Sequence, residues 1–344
     1  MKKLIAFFMV MIFVISIALV GCGTASEKSE ETTNTTNDTE NQNPVDDVTI
    51  KVGSLKGPTS IGLVSLMEKA KKQEAKGNYE FTMEAGADGL MAGILKGDLD
   101  IALIPANVAS IWYNKMDKAV QVIDINTLGV LYMVSTDSSL TTIESLKGKT
   151  IVLTGKGNTP DYTLQYLLKE HGLGLEDVNL EYKSEATEVV SALSQGQADI
   201  ALLPQPFVTV ACAQNDKLQV VMDMTEQWNA VQGENGSQLV TGVTIVRKEF
   251  LEQHKEAVDT FMEEQKESTS YVNGNPKEAS ELVAEQGIIE KAPIAEKAIP
   301  KCNITYIAGE EMKQALHGYL SVLFDLDKGM VGGTLPADDF YYIQ

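Results

Sequence analysis

Two short loops hold the residues best suited to gripping a small molecule: Ser54-Leu-Lys-Gly-Pro-Thr-Ser60 and Thr154-Gly-Lys-Gly-Asn-Thr-Pro160. Each follows an apolar stretch that reads as a strand and precedes one that reads as a helix. The start of a helix exposes unpaired N–H groups and carries partial positive charge. A negative or strongly hydrogen-bonding group is favoured there. Glycine lets the backbone come close to a guest, and hydroxyl and amide side chains can cap the helix or touch the ligand. The candidate contacts are Ser54, Leu55, Lys56, Gly57, Pro58, Thr59 and Ser60 in the first loop. In the second they are Thr154, Gly155, Asn158 and Thr159. Asn107, in Pro105-Ala-Asn107, and Gln205, in Pro204-Gln-Pro206, are further candidates, and Thr241 is another. Either loop alone is no more than a common turn. Their duplication at matched positions is what argues for binding.

Catalytic chemistry finds no support. His171, His254 and His317 stand far apart and outside any metal-ligand spacing, the cysteines form no C-x-x-C, and no G-x-S-x-G occurs. Asp338-Asp339 reads as a solvated tail. Neither a catalytic group, a metal nor a cofactor is expected. Trp112, Tyr113 and Trp228 could stack on a ring, but packing is the first reading of each. With 28 basic against 48 acidic residues, the chain lacks the electropositive face that nucleic acid needs.

The elements that position these loops come as a repeat. Met91-Ala-Gly-Ile-Leu-Lys-Gly-Asp-Leu-Asp-Ile-Ala-Leu-Ile-Pro105 matches Val190-Ser-Ala-Leu-Ser-Gln-Gly-Gln-Ala-Asp-Ile-Ala-Leu-Leu-Pro204. Gly97 faces Gly196, Asp100 faces Asp199, and Lys56-Gly57 faces Lys156-Gly157. Each copy reads strand, loop, helix, strand, helix, strand. In the first, the spacing predicts a strand at 48–52 ended by Gly53, a helix over 61–72 with Leu63, Val64 and Met67 on one face, a strand at 79–83, a short helix stopping at Gly97 and a strand at 100–104. The second predicts strands at 149–153, 178–182 and 200–203, with helices over 162–170 and 185–194. Two open α/β lobes follow. Ligands in such sheets lie beyond the carboxyl ends of the strands, where the four loops are. Apolar stretches at 128–134 and 239–246 read as two crossings between lobes, hence a hinge. Helices over 251–271, 276–286 and 310–324 are expected to wrap back onto the first lobe.

The N-terminus sets the compartment. Lys2 and Lys3 precede an apolar run over 4–20 that ends in Leu19-Val-Gly-Cys22. A charged start, an apolar core and a small residue before the cut describe an export signal. Leu19-Val-Gly-Cys22 resembles the bacterial lipobox, which implies a lipidated Cys22. Residues 23–47 are nearly free of apolar side chains and read as a flexible tether. The expected organisation is signal and lipobox 1–22, tether 23–47, first lobe 48–130 plus 243–344, and second lobe 131–242. The chain would sit on the outer face of the cytoplasmic membrane, held by its lipid, in an extracellular or periplasmic space. Pairing of Cys212 with Cys302 stays open.

With lobes, crossings and lipobox together, the chain resembles the second type of periplasmic-binding-protein fold. Within it, the resemblance is to the group binding nitrate, alkanesulfonates, taurine and thiamine pyrimidine precursors for ABC importers. The carrying segments are Val52-Gly-Ser-Leu-Lys-Gly-Pro-Thr-Ser60, Leu95-Lys-Gly-Asp-Leu-Asp-Ile-Ala102, Lys147-Gly-Lys-Thr-Ile151, Ala198-Asp-Ile-Ala201 and Arg247-Lys-Glu-Phe250. The resemblance implies a monomeric two-lobe clamp that closes on a small ligand and delivers it to permease and ATPase subunits. It departs from the sulfonate binders at Pro204-Gln-Pro-Phe207, where they often carry an acidic, aromatic segment. The related yeast-type pyrimidine synthases need a histidine and a cysteine-rich motif that this sequence lacks. Two other readings compete: a ligand sensor presenting the same clamp to a membrane receptor, and a surface enzyme on the same fold. The ligand's identity stays open between a heteroaromatic precursor and a small anion.

Overall fold

The computed structural model describes residues 48–233 and 236–343. The expected export signal, Cys22 and the tether lie outside the described residues. No helix among the described residues is long and apolar enough to cross a membrane.

The strands follow in chain order: β1 (Thr49–Leu55), β2 (Asn78–Glu84), β3 (Ile101–Pro105), β4 (Val120–Leu128), β5 (Leu131–Ser135) and β6 (Thr150–Leu153). After them come β7 (Asn179–Tyr182), β8 (Ile200–Pro204), β9 (Gln219–Asp223), β10 (Val240–Arg247) and β11 (Ile304–Ile307). They form two sheets, ordered β11-β4-β10-β3-β1-β2 and β7-β6-β8-β5-β9. The repeat is visible in both. The first strand of each copy pairs in parallel with the second and third: β1 with β2 and β3, β6 with β7 and β8. The strand arriving from the other lobe enters antiparallel, β10 between β3 and β4 and β5 between β8 and β9. The repeated glycines end their helices, Gly97 at φ 75° and Gly196 at φ 66°, a left-handed geometry that disfavours a Cβ.

Two crossings join the sheets, as the sequence suggested. Between β4 and β5 lie only Gly129 and Val130. A Cβ on Gly129 would stand 2.1 Å from the Thr225 hydroxyl oxygen, so glycine is required at this crossing. Return is made after the helix Met224–Gln232. Val240 already pairs with Leu128, which places 240–242 in the first sheet, ahead of the boundary expected at 243.

Three local expectations are corrected. β1 does not stop at Gly53 but runs on to Leu55. The glycine is there for packing: a Cβ would lie 2.6 Å from Leu90 Cδ2 and 2.7 Å from Leu99 Cδ1. Gly53→Ala is therefore expected to overpack the core and cost about 1–3 kcal/mol. In urea titrations the midpoint should fall with an unchanged slope; an unshifted midpoint would show that the leucines have room to move.

The single helix expected over 61–72 is instead a four-residue turn, Pro58–Ile61, and a separate helix, Val64–Lys71. Ser268, from the helix Lys255–Gly274, causes the break. Its hydroxyl donates to Gly62 O at 2.7 Å and accepts from Leu66 N at 3.1 Å, inserting where the backbone bond between those two groups would form. Asp338-Asp339 is exposed, as expected of a solvated stretch, and the third correction is only that the stretch is tied down. It is not a free tail, because Asp339 accepts from Tyr113 Oη and pairs with Lys118, while Asp338 pairs with Lys313.

The C-terminal helices cover more than the first lobe. The helix Gly309–Leu326 packs on β4 and β10 but also on the helix Thr159–Glu170 of the second lobe. Leu131, Ile151, Leu164 and Trp228 from one lobe and Trp112, Ile125, Val243 and Tyr319 from the other share one continuous apolar cluster. Cys212 and Cys302 are both free thiols, so the pairing left open by the sequence is not formed.

Candidate functional site

Between the two sheets lies a cavity of about 200 Å³. Nine of the residues singled out in the sequence line it: Leu55, Lys56, Pro58, Thr59, Thr154, Gly155, Asn158, Thr159 and Thr241. Both copies of the repeat therefore contribute, as their position beyond the strand ends requires.

The first-lobe loop is fastened from below. Thr59 Oγ1 and Ser60 Oγ both donate to Leu55 O, at 2.9 and 2.6 Å, and Ser54 Oγ lies 2.7 Å from Ser60 Oγ. This explains why Ser54 and Ser60 do not line the cavity: they are buried and committed to holding the turn. Gly57 also stays out of the lining. It enters the turn at φ 145°, a conformation that calls for glycine; a Cβ there would only touch Phe207 of the other lobe, at an ordinary 3.7 Å. Two facing helix ends were expected. In the first lobe, however, the four-residue turn Pro58–Ile61 is too short to carry a useful dipole, since a macrodipole is a sum over aligned peptides.

The second-lobe loop turns through Gly155 at φ 70° and Gly157 at φ 75° into the twelve-residue helix Thr159–Glu170. Asp161 organises it. This buried carboxylate accepts from Gly157 N at 2.8 Å, Gln165 Nε2 at 2.8 Å and Tyr182 Oη at 2.7 Å. Asn158, at the helix cap, makes no capping bond with its side chain and lines the cavity.

Asn107 and Gln205 sit elsewhere than expected. β3 and β8 run almost directly into helices, Ala106–Lys115 and Phe207–Gln214, so Pro105 and Pro204 line the cavity while the next polar residues turn inward. Asn107 is fully buried behind the wall and ties the lobes together. Its Nδ2 donates to Gly157 O at 3.2 Å, and its Oδ1 accepts from Thr159 Oγ1 at 3.3 Å. Gln205 Oε1 caps the following helix, accepting from Thr209 Oγ1 at 2.8 Å and Thr209 N at 3.3 Å.

Thr241 keeps its place. The residue lines the cavity, and its buried hydroxyl oxygen has no hydrogen-bond partner among the described residues. Beside it, Gly242 does not line the cavity but makes room for Thr59 and for Asn126, whose Oδ1 would be 2.5 Å from a Cβ.

Sequence reasoning missed the loops after the second strands, Ala85-Gly86-Ala87 and Ser184-Glu185-Ala186-Thr187. They start the helices Ala87–Lys96 and Ala186–Ser194. The signal was available, because the carboxyl ends of β2 and β7 obey the same rule as those of β1 and β6. Glu188 already accepts from Ser184 N and Glu185 N at 2.8 and 3.4 Å, so that helix start is internally satisfied. Phe207 was missed too.

The cavity is mostly apolar, with leucine, proline, alanine and phenylalanine around the hydroxyls of Thr59, Thr154, Thr159 and Thr241 and the amide of Asn158. Lys56 and Glu185 are its exposed charged residues. Among the described residues no cluster of His, Cys, Asp or Glu could hold a metal ion. Such a lining can orient a small polar head by hydrogen bonds while excluding water around it.

Residues 114–279 match the family model described as NMT1/THI5 like. Comparison with curated protein sequences finds no match. Among solved structures, an ABC transporter protein from Parabacteroides distasonis is 23% identical with a TM-score of 0.70, covering 86% of this chain and 98% of its own. The periplasmic aliphatic sulphonate binding protein SsuA from Escherichia coli is 13% identical with a TM-score of 0.69, covering 86% and 92%. The periplasmic nitrate-binding protein NrtA from Synechocystis PCC 6803 is 11% identical with a TM-score of 0.63, covering 84% and 83%.

Proposed function

This chain has the type II periplasmic-binding-protein fold of ABC-transporter solute-binding proteins, and from that premise we propose that it captures a small polar or anionic molecule in the interlobe cavity for an ABC importer. The observation that carries this reading is the cavity itself, walled by matched loops of both lobes. A ligand held by both lobes binds best when they are closed, so it shifts the hinge population without any chemical step. Thr59, Thr154, Asn158, Thr159 and Thr241 supply the polar contacts, and Lys56 offers a positive charge at the edge. Permease and ATPase subunits then receive the molecule. Lipid on Cys22 and the tether over 23–47 keep this monomer at the outer face of the cytoplasmic membrane.

A thermal-shift screen of sulfonates, nitrate, carboxylates and nitrogen heterocycles should give at least one stabilising ligand. Asn158→Ala removes the amide that lines the cavity and makes no capping bond. Calorimetry on the best compound should show about tenfold weaker binding, the worth of one hydrogen bond. Equal affinity for the two proteins would place the ligand elsewhere. Anchoring has its own check: Cys22→Ser should abolish labelling by a fatty-acid probe and release the protein from membranes, and retained labelling would remove Cys22 from the account.

A further inference from the structure

The two loops of the cavity are held in different ways. The first is fastened within its own lobe: Thr59 and Ser60 donate to Leu55 O, and Lys56 N donates to Glu84 O at 2.8 Å. The second takes a partner from the other lobe. Asn107 belongs to the helix that follows β3, and its side chain reaches the loop that follows β6. Nδ2 donates to Gly157 O at 3.2 Å, Oδ1 accepts from Thr159 Oγ1 at 3.3 Å, and Nδ2 also lies 3.5 Å from Met330 O. Gly157 and Thr159 flank Asn158, the residue whose amide is left for the cavity. The hold is not reciprocated. Counted from the matched Pro105 and Pro204, Pro206 stands where Asn107 does and has no such side chain. Gln205 beside it turns to Thr209 of its own lobe.

We propose that Asn107 is a positioning residue of the binding site: without lining the cavity, it aims the Asn158 amide and sets the sense of the Thr159 hydroxyl. The first lobe thereby completes the second lobe's half of the site. This rests on the reading of the interlobe cavity as the binding site. The path of the loop is set locally, by Gly155 and Gly157 at positive φ, by Gly157 N on Asp161 and by Asn158 N on Gly155 O at 2.8 Å. What the loop presents is not. Two glycines in a short turn leave rotational freedom that has to be taken out by contacts, and Asn107 grips the chain on either side of Asn158. It also spends the proton of Thr159. Toward a ligand that hydroxyl is then left as an acceptor, so a donor is selected there and a second acceptor is not. Parting the lobes breaks both bonds. The arrangement that suits a ligand therefore belongs to the closed state alone, which is how binding comes to favour closure.

Amide hydrogen exchange on the ligand-free protein tests this with a double-mutant cycle of Asn107→Ala and Thr159→Val. Each single variant should speed exchange over residues 154–162 about tenfold, the worth of one hydrogen bond. Strand β6 and the later turns of the helix Ala106–Lys115 should keep wild-type rates. The double variant should exchange no faster than the faster single one, because both remove the same bond. In 1H–15N spectra, the Asn158 side-chain amide pair, assigned by its loss in Asn158→Ala, should shift or broaden in Asn107→Ala. Unchanged exchange over 154–162 in both singles would overturn the proposal. So would a rise spread evenly over both lobes, effects that multiply in the double variant, or an Asn158 signal that stays where it was. Should Asn107→Ala not fold, Thr159→Val reads the same bond from the loop's side. No ligand enters these measurements, so they fail independently of the thermal-shift screen: a screen without a binder speaks against the interlobe reading, and an unmoved loop speaks against Asn107 alone.

Discussion

Asp124→Asn is expected to make the protein more stable at pH 8 and to leave it nearly unchanged near pH 4. Asp124, on β4, is fully buried, and burial pushes its carboxyl up to about 7 against the hydrogen bonds from Thr244 and Gln265. Oδ1 accepts from Thr244 Oγ1 at 2.9 Å and Gln265 Nε2 at 3.1 Å. Two acceptors of this pair, Asp124 Oδ2 and Gln265 Oε1, are buried without partners among the described residues. The folded state thus holds a proton that the unfolded chain, with a carboxyl near 3.9, releases earlier. Stability from this group is complete below about pH 4. It declines as pH rises toward 7, where folding requires a buried charge, and is lost above that. Three pKa units correspond to about 4 kcal/mol. In the variant, an amide N–H takes the place of the proton at every pH. Denaturant titrations of both proteins from pH 4 to 8 isolate the effect, since other carboxylates cancel in the difference. A difference that does not change with pH would show that Asp124 is ionised in the folded protein.

Asp124 also marks where the sequence stops being informative. The lobes were legible because the repeat places glycine, aspartate and proline at matched positions, and each has a local job: Gly97 and Gly196 end helices in a conformation read from their neighbours alone. The insertion of β10 between β3 and β4 was not legible, because it is a pairing between distant segments that apolar composition does not specify. Nor was the break at Gly62 and Leu63, which depends on one hydroxyl arriving from Ser268. The same limit governs the site. Thr59, Asn158 and Thr159 line the cavity because the loops that carry them are fixed by chain-local geometry. Asn107 and Gln205 have the right chemistry, but their hydrogen bonds go to Gly157, Thr159 and Thr209. Residue type shows what a side chain can bond; only the packed chain shows which of those bonds are already made.

Trp228→Ala should have the largest effect of any single change considered, and it should be felt in both lobes. The ring is fully buried, 4.7 Å from Tyr166 and 5.6 Å from Tyr319 between centroids, and its Nε1 donates to Ser237 O at 2.8 Å. Tyr166 belongs to the second lobe's helix behind the cavity loop, Tyr319 to the helix that also covers β4 and β10. Trp228 is therefore a wedge between lobes, placed just before the return crossing. Its loss removes about 3–5 kcal/mol and leaves Ser237 O without its donor. Trp112 is the matching control, since it is buried in the helix Ala106–Lys115 of the first lobe. Truncating either tryptophan should lower the unfolding temperature by several degrees or more. Only Trp228→Ala should also broaden the distance distribution in small-angle scattering and weaken ligand binding, because it alone loosens the relation between the lobes. If both variants lose stability while scattering and affinity stay at the wild-type values, Trp228 is an ordinary core residue and the lobes are held by the crossings alone.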